Sequence, residues 1–196
     1  MTPALIAVPV VVGVIWVLLT IVMVAKMIHV ASPNQVLIVS GVQRSAGGET
    51  LGYRCVRGGR VVVLPLLETL DQLDLTNLIV EERVLVRSKA FVPLWIEVMA
   101  HVRVAGERPA LDKAALRLLG KSREQILRLA SDAVVEATAG VVAKVTPEML
   151  VEDRANAERA ISEEVEHDFT SIGLELGELR LREVTDDVGY LSAIAR

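Results

Sequence analysis

Several residue types are scarce in this chain, and each scarcity argues against a class of protein. The sequence has a single cysteine, Cys55, so no disulfide can form within the chain and a disulfide-stabilised secreted domain is excluded. Aromatic residues make up 3% of the 196 residues, so any core must be built from Val, Leu, Ile and Ala. The basic residues form no stripe and are not interleaved with aromatic residues, which argues against nucleic-acid binding.

Charged side chains are absent from residues 4–25, an apolar run near the N-terminus. At about 1.5 Å rise per residue, a helix over this run is roughly 33 Å long, enough to cross a bilayer core. We therefore predict a membrane anchor over residues 1–28, either spanning once or re-entrant; a cleaved signal peptide fits less well because no basic residue precedes the run. Lys26 and His29 follow the run and are candidates for the membrane interface. The positive charge after the run favours a soluble domain on the cytoplasmic side of the cell membrane.

Charge is distributed unevenly over the rest of the chain. Residues 26–146 contain 16 basic and 12 acidic residues, whereas residues 147–196 contain 5 basic and 13 acidic residues. Surfaces of opposite charge can pair between copies of a protein. A charge-rich helix over residues 148–168 is also typical of a solvated surface, so both interpretations remain open.

Alternating apolar residues in the first half of the chain predict an antiparallel sheet. The clearest alternation is in residues 92–104, which we predict to form a long half-buried strand. Glycine pairs predict turns between the early strands, at Gly47-Gly48 and Gly58-Gly59. Other extended segments are predicted at residues 35–40, 60–64, 70–78 and 80–86.

Helix signals begin at residue 109. The first predicted helix ends at Gly120, because a residue without Cβ readily adopts the left-handed conformation common after helix ends. Ser122 then begins a second helix, and Gln125 three residues later completes a capping box.

A third helix is predicted to begin with Thr146 as its N-cap and to run to residue 172. Gly173 ends it and a last strand follows, with a β-bulge at Gly177, where the alternation slips by one residue. Thr185 is predicted to cap a new helix. The first turn of that helix contains two acidic residues, Asp186 and Asp187.

Four short segments, taken in this order, resemble the flotillin branch of the stomatin/prohibitin/flotillin (SPFH) or band 7 superfamily. They are PNQVLIVSG at residues 33–41, GGRVVVLP at residues 58–65, LGKS at residues 119–122 and DDVGYL at residues 186–191. They are similar to the family's first strand, its glycine turn with an apolar strand, the flotillin junction between helices, and the segment that opens the C-terminal helix. The resemblance covers nearly the whole chain after the apolar run.

The resemblance implies an α+β fold in three parts. An N-terminal transmembrane helix is followed by an SPFH domain over residues 29–184, an antiparallel sheet packed with helices, and by the start of a C-terminal helix over residues 185–196. Flotillins continue from this helix into a long coiled coil that drives assembly, and that coiled coil is missing from this sequence. The candidate residues at the start of the assembly helix are Asp186, Asp187 and Tyr190.

The resemblance also implies a non-enzymatic membrane scaffold that self-associates and organises a membrane microdomain. Its expected partners are membrane lipids, further copies of itself and, as in bacterial relatives, an NfeD-like membrane protein; no cofactor is expected. The alternative is a membrane-tethered regulator or adaptor of a membrane protease or transporter. A membrane-anchored hydrolase is a third hypothesis.

Three groups of residues were weighed for chemistry, and in each a structural role is favoured. Lys121 and Ser122 are adjacent, so they do not face each other on a helix, and Ser122 already has a capping role. Cys55 lies between two arginines, which could make its thiol reactive, but a turn or lipidated cysteine is favoured. His101 shares a strand face with Glu97, yet no further ligand accompanies them. We predict no catalytic or metal-binding residue.

Overall fold

The computed structural model describes residues 4–46, 49–64, 67–187 and 189–194. The chain divides into two compact units, Met1–Gln72 (unit 1) and Leu73–Arg196 (unit 2). The elements, in chain order, are α1 (Ala4–Met27), β1 (Ile28–Ala46), β2 (Glu49–Val62), β3 (Thr69–Asp74), β4 (Leu78–Arg87), β5 (Pro93–Val104), α2 (Ala110–Leu118), α3 (Arg123–Val142), α4 (Pro147–Glu152), α5 (Arg154–Ile172), β6 (Leu174–Asp186) and α6 (Tyr190–Ile194).

In unit 1, α1 leads directly into β1, which lies between β2 and β3 in a three-stranded sheet. β1 and β2 are antiparallel and pair from Ile28 opposite Val62 to Ala46 opposite Glu49. The extended segment predicted at residues 35–40 is confirmed as part of β1. A small aliphatic core forms along this pair, consisting of Ala31, Leu37, Val39, Val61 and Val63.

The turn predicted at Gly58-Gly59 is wrong, because both glycines lie inside β2. Both have positive φ, 68° and 93°, and they lie where the pairing with β1 shifts register, between Ala31 and Val36. The shifted stretch of β1 contains Pro33, which has no N–H to donate to the ladder. The glycines therefore accommodate an irregular pairing and not a chain reversal. The other predicted turn, at Gly47-Gly48, lies outside the described residues.

Unit 2 has its own three-stranded antiparallel sheet, in the order β4-β5-β6. The described strands thus form two sheets, where the sequence predicted one. The strands predicted at residues 80–86 and 92–104 are confirmed by β4 and β5, and every second residue of β5 from Leu94 to Val104 is buried. β6 contains the predicted bulge, since His101 is opposite Glu178 and Val102 is opposite Leu176, which leaves Gly177 unpaired.

The extended segment predicted over residues 70–78 is not continuous, because β3 ends at Asp74. The carboxylate of Asp74 accepts hydrogen bonds from the backbone N–H of Thr76 at 2.9 Å and from its hydroxyl at 2.8 Å. An aspartate that bonds the backbone two residues later makes a local turn, which separates β3 from β4.

Helix α2 begins and ends close to its predicted limits, and α3 begins directly after Ser122, as predicted. The capping box is confirmed: Ser122 Oγ accepts from Gln125 N at 3.3 Å, and Gln125 Oε1 accepts from Ser122 N at 2.9 Å. α3 packs against β4, α5 packs against β6, and the two helices pack against each other. Their buried faces are mostly aliphatic, with one aromatic ring and one threonine, and include Ile126, Ala130, Val134, Ala137, Thr138, Val141, Ala157, Ile161, Val165 and Phe169.

The single helix predicted over residues 146–172 is wrong, because the chain breaks at Asp153 into α4 and α5. Asp153 leaves the helical conformation, with φ −124° and ψ 56°, and its carboxylate caps α5 by accepting from Asn156 N at 3.3 Å. Thr146 precedes α4 as predicted but makes no side-chain cap bond.

The predicted end of the long helix at Gly173 is confirmed, since Gly173 has φ 86° at the C-cap of α5. A Cβ at this position would lie 2.3 Å from the backbone nitrogen of Ala114, so the close approach of α2 also requires glycine. The cap predicted at Thr185 is wrong, because β6 continues through Thr185 to Asp186 and α6 begins at Tyr190. Cross-strand pairing with β5 extends the strand to that point.

Candidate functional site

From Val12 to Val24, helix α1 exposes apolar side chains. The large apolar side chains in this stretch are 51–72% exposed, and Trp16 is the most exposed of them. The hydroxyl of Thr20 donates to the carbonyl of Trp16 at 2.8 Å, so this polar group is satisfied within the helix. A contiguous apolar surface of this extent is rare on a free monomer and indicates contact with lipid or with another protein.

Within the described ranges, no helix is long and apolar enough to cross a membrane. The transmembrane span stays a prediction.

Lys26 and His29, the predicted interface residues, lie on either side of the junction between α1 and β1. Lys26 is exposed in the last turn of α1, and His29 is half-buried in β1 opposite Val61. The junction is fastened to the end of β2, because the N–H of Val63 donates to the carbonyl of Met27 at 2.9 Å. The Nδ1 atom of His29 is buried and has no hydrogen-bond partner among the described residues. Placement of these residues at a membrane interface stays a prediction.

Apolar side chains are also exposed on the strands next to this junction. Ile28 is 48% exposed and Val62, directly opposite it on β2, is 56% exposed. Val30, two residues along β1, is 70% exposed and lies opposite the exposed Arg60. This strand patch of Ile28, Val30, Arg60 and Val62 continues the apolar character of α1 and ends in a positive charge.

The start of the C-terminal helix is the second candidate region. Each of the predicted assembly residues makes a hydrogen bond: Asp186 accepts from the backbone N–H of Tyr190, and Asp187 Oδ2 accepts from Trp95 Nε1 at 2.9 Å. The hydroxyl of Tyr190 donates to Glu148 Oε1 at 2.6 Å. The segment is therefore attached to its own helix start, to β5 and to α4.

Trp95 and Glu148 complete this region, and neither was predicted from the sequence. Trp95 lies on the less buried face of β5, where its indole N–H needs an acceptor, and the Arg83 guanidinium carbon lies 4.9 Å from the centre of its ring. Glu148 lies in the first turn of α4. No spacing rule connects it with a tyrosine 42 residues later.

The hydrogen bond between Tyr190 and Glu148 shifts both pKa values. The Tyr190 hydroxyl, with smaller contributions from the backbone of Glu148 and the hydroxyl of Thr146, holds the pKa of Glu148 below its ordinary value. The Glu148 carboxylate in turn raises the pKa of Tyr190 above its ordinary value. The contact is therefore a charge-assisted hydrogen bond between a neutral phenol and an ionised carboxylate.

Each of the residues weighed for chemistry has its own structural setting. Ser122 is engaged in the capping box of α3, Cys55 is half-buried in β2 opposite Ile38, and His101 shares the less buried face of β5 with Glu97, as predicted. Across the described stretches of chain, no group of three or more His, Cys, Asp or Glu residues is arranged to hold a metal ion.

Comparison with known proteins gives a consistent result. Residues 29–196 match the model of a family described as SPFH domain / Band 7 family. Flotillin-1 of Homo sapiens and Flotillin-1 of Mus musculus are each 26% identical to this chain over 174 residues, covering 87% of this chain and 39% of the relative. Flotillin-1 of Carassius auratus is 23% identical over 172 residues. The chain thus spans about two fifths of the length of these curated relatives.

The α+β architecture, its antiparallel sheets packed with helices, and a family match over most of the sequence agree with one another. The chain belongs to the SPFH domain / Band 7 family and is a flotillin-like member of it.

Proposed function

We propose that this chain acts as a flotillin-like, non-enzymatic membrane scaffold, which α1 holds at a bilayer and which self-associates to organise the surrounding membrane. The observation that carries the proposal is the exposed apolar surface of α1, from Val12 to Val24. Burial in lipid removes apolar surface from water, which is favourable by about 25 cal/mol for each Å² buried. The similarity to Flotillin-1 supports the same assignment.

The residues after α1 suit the surface of a membrane. Lys26 is exposed at the end of the helix, and the strand patch of Ile28, Val30, Arg60 and Val62 presents apolar side chains beside a cation. Basic residues are favoured beside anionic headgroups, and apolar side chains are favoured just below them. We place the soluble part on the cytoplasmic side, with an NfeD-like membrane protein as a candidate partner.

Unit 2 supports the scaffold proposal in another way, because it holds the start of α6 in a defined position. Trp95, Asp187, Glu148 and Tyr190 attach this segment to the sheet and to α4. A helix that continues from α6 would leave unit 2 in a fixed direction. A scaffold needs such directed attachment between copies, and it needs no reaction centre.

Flotation with phospholipid vesicles tests the membrane role of the full chain. Leu19→Lys combined with Val22→Lys places two charges on the exposed surface of α1 and should move the protein from the vesicle fraction to the aqueous fraction. The matched control is Leu116→Lys combined with Met149→Lys, which adds the same charge at exposed apolar positions of unit 2 and should leave flotation unchanged. Equal flotation of both variants would contradict the role of α1.

Particle mass in mild detergent tests self-association. The scaffold proposal expects a particle of many copies after the detergent contribution is subtracted. A monomer that co-purifies with a membrane protease or transporter would instead support the regulator alternative.

A further inference from the structure

The two edges of the unit 2 sheet differ in how open they are. The pairing of β6 with β5 shifts register at two places, and the backbone N–H of Leu181 on β6 is already used, since it donates to Glu158 Oε1 at 2.9 Å. Bulges and side-chain caps of this kind hinder further strand pairing. β4, at the other edge, pairs with β5 from Leu78 to Arg87 without any register shift.

The outer edge of β4 is open in the described part of the chain, because the sheet order is β4-β5-β6 with no strand beyond β4. A groove of about 410 Å³ runs along this strand. It is lined by four consecutive residues of β4 and by two residues of α3 one helical turn apart, namely Ile79, Val80, Glu81, Glu82, Leu127 and Ser131. A regular edge strand beside a groove is the arrangement that accepts an additional strand.

The sequence of β4 is complementary to itself in one antiparallel register, centred on Glu82. In that register Ile79 of one copy lies opposite Leu85 of the other, and Glu81 lies opposite Arg83; twofold symmetry produces each pair twice. Ile79 and Leu85 are 55% and 54% exposed, and the two charged residues are exposed as well. Aliphatic pairs and pairs of opposite charge stabilise neighbouring antiparallel strands.

The inward face agrees with this register. Every second residue of β4 points toward the helices, and in the same register Val80 lies opposite Val84 and Leu78 lies opposite Val86. A register centred one residue later, on Arg83, would oppose the two Arg83 side chains and would pair Glu81 with Leu85. The charges and the apolar residues therefore favour one alignment.

We propose that β4 pairs with β4 of a second copy of this chain, in antiparallel orientation about a twofold axis, so that the two three-stranded sheets join into one. This contact rests on the self-association proposed above and specifies one interface within it. An isologous contact of this kind closes at two copies, so a larger particle needs a second, different contact. The capped edge of β6 disfavours a head-to-tail chain of sheets.

Three β4 residues at the proposed contact, Glu81, Glu82 and Arg83, already make interactions within their own copy. The register brings the two Glu82 side chains face to face, which weakens the pair, although the Ser131 hydroxyl donates to each Glu82 within its own copy. Within one copy, Glu81 is 3.5 Å from Arg182 and Arg83 lies over Trp95. In the dimer, Glu81 and Arg83 would keep these contacts and also pair with each other across the two copies. Glu82→Gln should therefore strengthen the dimer.

Disulfide crosslinking of the full chain in mild detergent tests the register. With Cys55 replaced by serine, the double variant Ile79→Cys/Leu85→Cys places cysteines opposite each other across the two strands, at a Cα separation of about 4.5–5.5 Å, which a disulfide can span. Each single variant separates its two cysteines by about 20 Å, because the positions lie six residues apart along the strand. We expect a covalent dimer from the double variant alone. No dimer, or equal dimer from the single variants, would overturn the proposal.

Charge reversal provides an independent test that leaves Glu82 intact. Glu81→Arg alone opposes two arginines and Arg83→Glu alone opposes two glutamates, so each variant should dimerise about tenfold more weakly than the parent chain. A mixture of the two variants restores opposite charges at both pairs and should recover dimerisation. Arg87→Glu, an exposed residue of β4 outside these pairs, is the matched control. Failure of the mixture to recover would overturn the proposal.

The same samples separate this proposal from the scaffold proposal. A particle of many copies without the crosslink between positions 79 and 85 would keep the scaffold and refute β4 pairing. A crosslinked dimer with no larger particle would support β4 pairing and refute the scaffold.

Discussion

Unit 1 and unit 2 differ in how far their apolar residues are exposed. Unit 1 buries a small cluster between β1 and β2 and exposes apolar side chains along α1 and the strand patch. Unit 2 buries long aliphatic rows from β4, β5, β6, α3 and α5, and exposes large apolar side chains only at scattered positions among its described residues, such as Leu116 and Met149. Unit 2 therefore has its own core, whereas the apolar surface of unit 1 indicates an external partner.

This difference indicates that the two units have separate roles. Folding free energy in unit 2 comes from packing within the chain, and its charged residues cover the outside. The apolar residues of α1 contribute little to packing within the chain, so their stabilisation depends on lipid or protein contact. Substitutions in the two units should therefore change different measurements.

The largest effect is expected from Phe169→Ala. Phe169 is fully buried on α5, and removing its ring should destabilise unit 2 by about 3–5 kcal/mol, through lost burial and the cavity that remains. Thermal unfolding followed by circular dichroism would measure this loss. Leu116→Ala, at a residue that is 74% exposed, should change stability by less than about 0.5 kcal/mol.

Vesicle flotation of the same variant tests whether membrane binding is independent of the stability of unit 2. The Phe169→Ala variant should still float with vesicles below its unfolding temperature, because the membrane surface belongs to α1. If flotation is lost together with the folding of unit 2, the two tasks are not divided as we propose.

The next largest effect is expected from removing a helix cap. The two variants compare the predicted cap at Ser122, which the structure contains, with the predicted cap at Thr146, which makes no side-chain bond. Ser122→Ala removes the capping box of α3 and should lower the stability of unit 2 by about 1 kcal/mol. Thr146→Ala should cost less, because Thr146 makes no side-chain cap bond at α4. Equal losses in denaturant titration would contradict the assignment of these two caps.

Local sequence patterns predicted the secondary structure of unit 2 well where neighbouring residues decide it. The alternation in β5, the capping box at Ser122, the helix end at Gly173 and the bulge at Gly177 all depend on residues close in sequence. The resemblance in four short segments correctly predicted the family.

The predictions that were wrong depend on partners distant in sequence. Gly58-Gly59 has the composition of a turn, but the irregular pairing with β1 places both glycines within a strand. Thr185 has the composition of a cap, but pairing with β5 extends β6 past it. At the C-terminal region, Asp187 and Tyr190 were named, whereas their partners Trp95 and Glu148 lie far away in the sequence and were not.

The smallest effect concerns the charge-assisted contact at the start of α6, which marks the C-terminal attachment of unit 2. Because the Glu148 carboxylate raises the pKa of Tyr190, Glu148→Gln should lower that pKa toward the ordinary value of 10.0. In a Tyr53→Phe background Tyr190 is the only tyrosine, so phenolate absorbance during an alkaline titration reports it directly. Glu152→Gln, an exposed residue also on α4, is the control and should leave the titration unchanged.

The sign of the pH dependence follows from both shifts. The pKa of Glu148 is lowered on folding, so its contribution is present above the ordinary value of 4.5 and is lost as the pH falls through the lowered value. The pKa of Tyr190 is raised, so its contribution is present below 10.0 and is lost as the pH rises through the raised value. The hydrogen bond between Tyr190 and Glu148 should therefore be strongest across the neutral range and weaken at both extremes of pH. A Tyr190 titration identical in the parent chain and in Glu148→Gln would show that another contact holds the helix.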